Sequence, residues 1–459
     1  MRSRRELKAW KVREWDMTER RPNEGLKRLL AEAGWTLGQL ATAVNRAGGE
    51  AGVSVRSDKS NVSKWLGGHT PVEKVRPLIL EALSRRLGRQ ITHAEAGLPV
   101  PHGVPSPSST VEGLVDLGRT DMDPSRRSVL GAGLYSVALT IPGWPDVVGR
   151  AEAVKSGKGL RIGSGEVDMV IQMTEKLSDL DDQFGGRTAR PMAASFLVNT
   201  VAPCLRADAP EDVRKAMLSA ASDLCYLTGY MAVDEGLHGL AQKYYLKALE
   251  LAGAAEDHLT YCTTLRGMSV QAIDLGHGRR AMELADAAAT AAPKAGPRML
   301  AFLTGQQAHS AAQIGDRATA LRRIREAEAA MDRAESRGKT FGSYDPATLH
   351  YHIAQVRYEL GDVAGSVAAM RTSNQLRHSH YRRTTVRFHA IQAERQLQMG
   401  HLEEALTSWN RALDDYPLVR SGRADARFRN MRKLIKPHLR HPGAAELYER
   451  AQQVKPAAV

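Results

Sequence analysis

Cysteine, aromatic residues and long apolar runs are all scarce in this chain, and each scarcity excludes a class of protein. Only three cysteines occur in 459 residues (Cys204, Cys225, Cys262), far apart and without a CxxC pair, so neither a disulfide framework nor a zinc ribbon is expected. Such thiols behave as small core residues, and a reducing, cytoplasmic setting suits them. The one stretch that imitates an export signal, Ser125-Arg126-Arg127-Ser128-Val129-Leu130 with apolar residues to Ile141, lies far from the N-terminus. It is also shorter than the ~20 residues that cross a bilayer. It reads as a buried helix opening a second domain, and no membrane partner is expected. The motifs of common enzymes are missing too: there is no P-loop, HExxH or GxSxG, and Gly131-Ala132-Gly133 lacks the third glycine of a dinucleotide site. The His350/His352 and His378/His380 pairs are spaced by two, which on a helix points their rings apart. The expectation is a protein with no enzymatic activity, no cofactor and no metal.

What the chain does have is alanine, leucine and arginine, residues that lose little freedom on entering a helix, so an all-α fold is expected. The net charge is +13 and unevenly spread: residues 1–100 hold 19 Lys/Arg against 11 Asp/Glu. A basic module on a milder body suits a polyanionic partner.

Punctuation divides the chain. Residues 1–22 read as a basic arm and 23–98 as a small helical domain. Residues 99–125, with four prolines and three serines in the first eleven positions, read as a linker. Residues 126–215 form a helical lead-in, with Gly185-Gly186 ending one helix and Pro191 starting the next. Residues 216–459 are self-similar.

The repeat is Gly-x4-[Ala/Ser]-x6-[Ala/Ser], seen as Gly236-Ala241-Ala248, Gly276-Ala281-Ala288, Gly315-Ala320-Ala327, Gly361-Ser366-Ser373 and Gly400-Ala405-Ala412. Its glycines lie 40, 39, 46 and 39 residues apart. A glycine ends a first helix because it takes φ > 0 without steric cost. Two small residues seven apart then lie on one face of a second helix and let the first approach. A bulkier residue between them (Tyr245, Ala285, Ile324, Met370 or Trp409) packs toward the next hairpin. No hairpin buries its face alone, so consecutive ones stack. These positions resemble the tetratricopeptide repeat, best in the last copy, Met399-Gly400-His401-Leu402-Glu403-Glu404-Ala405 followed by Trp409, Ala412 and Pro417. The resemblance implies an α-solenoid with a binding groove. It places Tyr226, Tyr230, Arg266, His309, Tyr351, Gln355, Tyr358 and Glu394 on that groove, a lining suited to a signalling peptide, a small-molecule effector or a protein partner.

In the N-terminal domain, residues 23–33 predict a helix capped by Asn23, and Trp35 to Ala41 open a second capped by Thr36. A glycine-rich stretch from Ala47 to Val55 follows. A third helix runs from Asp58 to Leu66, begun by Ser57, with Val62, Trp65 and Leu66 inward and Lys59, Ser60, Asn61, Ser63 and Lys64 outward. A short helix with a small, polar, basic outer face fits the major groove. Ser60-Asn61-Val62-Ser63-Lys64-Trp65-Leu66-Gly67-Gly68-His69-Thr70-Pro71 resembles the third helix of Xre-type helix-turn-helix domains over about residues 22–90. The resemblance implies that Lys59, Ser60 and Lys64 face the bases of double-stranded DNA, and Arg56, Asn61 and Ser63 complete the candidate DNA-binding set. The turn before this helix, about a dozen residues, exceeds the family's usual length and suggests a small wing at residues 48–56.

As a whole, with Gly236-Leu237-His238-Gly239-Leu240-Ala241-Gln242-Lys243-Tyr244-Tyr245, the chain is similar to actinobacterial regulators that join an Xre-type domain to tetratricopeptide repeats. That resemblance implies a DNA-binding transcription regulator, paired as a homodimer through its repeats. The competing expectation is a helical scaffold that binds proteins with both domains.

Overall fold

Every regular element among the described residues is helical, apart from one isolated β-bridge between Arg161 and Asp208. The computed structural model describes residues 22–99, 110–123, 134–139, 141, 144, 161–291, 295–334 and 344–454. The predicted basic arm therefore lies almost wholly outside the described residues, as do the arginine pair and Gly131-Ala132-Gly133. Contacts divide the chain into two units, Met1–Gly49 with Ser54–His102, and Glu50–Val53 with Gly103–Val459.

The first unit is built on α1 (Glu24–Glu32), α2 (Leu37–Glu50), α3 (Lys59–Leu66) and α4 (Arg76–Leu87). Asn23 caps α1 by accepting the Leu26 N–H at 2.9 Å, and its own N–H donates to the Leu66 carbonyl at 3.0 Å, tying the start of α1 to the end of α3. Leu26, Leu29, Leu40, Val44, Val62, Ile79 and Leu83 are completely buried. Helix α2 outlasts its predicted end, because Ala47 and Gly48 remain helical and buried. The loop to α3 is thus residues 51–58, shorter than the sequence suggests and without strands, so no β-wing forms.

The second unit begins with α5 (Thr110–Met122), which lies inside the predicted linker. Val111, Leu114 and Leu117 give this segment an apolar stripe that is buried, and that stripe outweighs the prolines preceding it. Residues 134–139, expected to be helical, are not. Their backbone is satisfied by side chains instead: Gln242 donates to the Ser136 carbonyl at 2.8 Å and accepts its N–H at 2.7 Å, and Arg280 donates to the Leu139 carbonyl at 2.8 Å. The lead-in continues through α6 (Ser164–Phe184), α7 (Gly186–Phe196) and α8 (Ala202–Arg206). Pro191 sits inside α7 rather than at its start.

Six helical hairpins follow: α9 (Glu211–Asp234) with α10 (His238–Ala255), α11 (His258–Asp274) with α12 (Gly278–Thr290), and α13 (Pro297–Gln313) with α14 (Arg317–Asp332). The series ends with α15 (Pro346–Glu359) and α16 (Val363–Leu376), α17 (Arg382–Gln398) and α18 (Leu402–Asp415), and α19 (Gly422–Ile435) with α20 (Pro442–Gln453). The five repeat glycines all have φ between 77° and 85°. Each turn closes with the same pair of bonds, as in Gly236 N–H to Val233 O at 3.0 Å and Leu237 N–H to Ala232 O at 2.9 Å. The paired small residues are buried in every copy, and so are Tyr245, Ala285, Ile324, Met370 and Trp409. This is an α-solenoid assembled from stacked hairpins.

The last hairpin returns to the first elements of the same unit. Arg420 N–H donates to Phe184 O at 2.7 Å and Arg187 N–H donates to Arg420 O at 3.2 Å. Gly185, at φ 88°, leaves the space the Arg420 carbonyl occupies. Ser421 Oγ donates to Asp234 at 2.8 Å, fixing the start of α19 against the end of α9.

Candidate functional site

Two features stand out, one in each unit. In the first unit the outer face of α3 is positioned by Val62 and Trp65, which are buried beneath it. Asp58, not Ser57, caps this helix: it accepts the Asn61 N–H at 2.8 Å while the Asn61 side chain accepts the Asp58 N–H at 3.0 Å. Ser57 is held by Asn45, which donates to its carbonyl at 2.8 Å and accepts its N–H at 2.7 Å. Asn61 is therefore half-buried in the cap and leaves the set of outward groups. Arg56, Lys59, Ser60, Ser63 and Lys64 are exposed, and among the described residues neither lysine pairs with a carboxylate.

In the second unit a cavity of about 620 Å³ is walled by α6, α9, α11, α13, α15 and α17. Tyr226, Tyr230, Arg266, His309 and Tyr351 line it. Gln355, Tyr358 and Glu394 do not, because other side chains occupy them. Arg395 donates to Gln355 and lies over the Tyr358 ring at 4.2 Å, while Glu394 accepts from Arg427 at 2.7 Å and Asn430 at 2.9 Å.

The wall also holds charged residues that counting along repeats does not find. Arg383 meets Asp181 at 3.0 Å and Asp182 at 2.8 Å, and Arg387 meets Asp274 at 3.1 Å. Behind them Arg423 bridges Asp274 at 3.0 Å and Asp234 at 3.2 Å. Burial alone raises the Asp234 carboxyl, yet Arg383, Arg423 and the bonds from Ser421 and Gly186 hold it below the ordinary carboxylate range. Burial wins at Asp181, which rises to about 7 despite Arg383. Burial likewise pushes His309 down to about 3 and His352 far below its usual range, so both rings are neutral. The sequence did offer a signal for these groups: Asp179, Asp181 and Asp182 on one side and Arg377, Arg383 and Arg387 on the other form clusters of opposite charge about two hundred residues apart.

Asp223, another lining residue, is raised to about 7 by burial and by Asp257, against a hydrogen bond from Thr260 at 3.1 Å. Its folded state holds a proton between about pH 4 and 7 that the unfolded chain has released, so it costs stability progressively as pH rises through that window. Asp223→Asn, which still accepts from Thr260, is expected to raise the urea midpoint by an amount that grows across this window and is level above it. A gain of the same size at every pH would show that Asp223 ionises normally.

These features define a repeat-built helical protein with a mixed polar and aromatic cavity in its larger unit. A family model, that of the SP15 N-terminal domain, matches residues 26–99. Among curated proteins no sequence matches the chain. Solved structures similar to it include the APC/C hetero-tetramer Cut9–Hcn1, at 16% identity and a TM-score of 0.33 over 93% of this chain and 69% of that one. A monomeric IFIT1 mutant with m7Gppp-AAAA is similar at 15% identity and a TM-score of 0.35, over 94% of this chain and 95% of that one.

Proposed function

We propose that the chain is a sequence-specific DNA-binding transcription regulator of the Xre-type, repeat-bearing kind, reading double-stranded DNA with α3 and holding an effector in the repeat cavity. The observation that carries the reading is the outer face of α3, where Lys59, Ser60, Ser63 and Lys64 are exposed while Asp58 is taken up by the cap. Lysine suits phosphates and guanine edges, and small hydroxyls allow close approach in the major groove. One such helix covers half a site, so pairing of two copies through the repeats completes the reading.

The test is a gel shift with the protein's own upstream region and with duplexes selected from a random pool. The Lys59→Ala/Lys64→Ala protein should keep its helical circular dichroism. It should bind at least about thirtyfold more weakly, two contacts at ~1–3 kcal/mol each. Parent binding should fall steeply with salt. A double variant shifting the same duplex at the parent's concentration overturns the role of α3. The hairpin repeats favour a second reading, a scaffold for protein partners, and failure of the parent to shift any duplex would put it first.

A further inference from the structure

The arginines around the cavity fall into two kinds. Arg383, Arg387 and Arg423 each meet at least one aspartate within 3.2 Å. Arg266 and Arg377 line the cavity as well, and among the described residues neither pairs with a carboxylate. Arg266 is only 9% exposed. Its guanidinium lies over the Phe302 ring at 4.1 Å and one terminal nitrogen sits 3.3 Å from His352 Nε2. A guanidinium only donates, so Nε2 accepts and the Nδ1 proton goes to Tyr344 Oη, 2.8 Å away. That chain fixes the arginine's direction without supplying negative charge, because His352 is neutral. The Arg266 Nε–H has no hydrogen-bond partner. At Arg377, held 4.7 Å from the Phe388 ring, Nε and one terminal nitrogen are buried and unpartnered. Asp345 and Asp182 act on Arg377 without forming an ion pair with it, so Arg266 is the less compensated of the two. A buried cation left without a close counter-charge is costly, and such a cost persists where a bound group relieves it.

We propose that the ligand of this cavity carries a carboxylate on an apolar or aromatic body, with Arg266 as the principal partner of the carboxylate and Arg377 as a second. This rests on the reading that the cavity holds an effector. The unpartnered Nε–H of Arg266 is a donor that a carboxylate can take, and the cationic guanidinium strengthens that bond. The rings of Tyr226, Phe302, Tyr351 and Phe388 supply the surface for the body, and about 620 Å³ lies in the range of small organic ligands. The cavity's acids do not cancel the assignment. Asp181 and Asp182 meet Arg383, Asp274 meets Arg387, and Glu175 and Asp179 are exposed, where water and salt screen them. Asp223, with its raised carboxyl, gives up its charge more readily than an ordinary aspartate.

Two sources share this chemistry, a small organic acid and the C-terminus of a short apolar peptide, and calorimetry on the full-length protein separates them. The probes are 4-phenylbutyrate and its amide, and the tetrapeptide Ala-Leu-Leu-Phe as free acid and as C-terminal amide. One acid should bind at least about tenfold more tightly than its amide, the weight of one charge-assisted hydrogen bond. Arg266→Gln should remove that preference, and Arg266→Lys, which keeps the charge, should retain more of it. Arg266→Gln should also leave the urea midpoint at or above the parent's, since it removes an uncompensated charge. A lowered midpoint in both variants would assign the loss to folding and overturn the role of Arg266. Amides binding as tightly as acids overturn the carboxylate assignment and leave an effector in the cavity standing. Absence of binding by all four probes overturns both cavity readings and leaves the gel-shift test of α3 untouched.

Discussion

Replacing Arg383 by alanine is expected to lower the stability of the repeat unit by about 3–5 kcal/mol, the cost of stripping one partner from a buried ion cluster. Arg383 is 6% exposed and donates to Asp182 at 2.8 Å and to the Asp181 carbonyl at 3.2 Å. Its other terminal nitrogen lies 3.8 Å from Asp234. Without it, the buried Asp181 and the partly exposed Asp182 lose their closest counter-charge. The loss is expected to be smaller near pH 5 than above pH 8, because Asp181, already raised to about 7 in the intact protein, escapes by taking up a proton. Urea unfolding of the two proteins at both pH values measures the difference. A loss under about 1 kcal/mol at the higher pH would mean that the cluster is as solvated as a surface pair.

Trp409→Ala should cost a similar amount, about 3–5 kcal/mol for a large aromatic removed from a close-packed site. Trp409 is completely buried in a core of its own, with Val386, Ala412, Leu413, Phe428 and Met431, separate from the core that α5 to α15 share. Repeat arrays lose stability locally when one interface is damaged. Hydrogen exchange should therefore quicken in α17 to α20 while the amides of α10 to α14 keep most of their protection. Equal loss of protection through the whole unit would show that the two cores unfold as one.

The repeat was legible because its signals are local. A glycine at a left-handed φ and two small residues seven apart are demanded by one turn and one helix contact, and each copy states them afresh. The start of α3 shows the limit of that kind of signal. Ser57 and Asp58 are both good capping residues, and the choice falls to Asp58 because Asn61, three positions on, completes a reciprocal pair of bonds. Residues 134–139 are apolar enough for a helix, yet Gln242 and Arg280, over a hundred positions away, offer their backbone other partners. The groove was half legible for a related reason. Counting along hairpins finds Tyr226, Arg266 and His309, but it cannot show that Arg395, Arg427 and Asn430 engage Gln355, Tyr358 and Glu394. The wall contributed by α6 comes from outside the repeat altogether.

The bonds that join Phe184 and Arg187 to Arg420 set the order in which this unit can be made. Each hairpin closes over a few dozen residues and forms quickly, but Arg187 and Asp425 are 238 positions apart, and pairing them carries the entropy of a long loop. On a ribosome that adds about 5–20 residues per second, Asp181, Asp182 and Asp234 emerge many seconds before Arg383 and Arg423 exist. Asp181 and Asp182 therefore wait for Arg383 until α17 has been made, and Asp234 gains its second arginine only with α19. Messages that end before α19 would leave the acidic cluster without Arg423, and a quality-control protease would find that end of the unit open.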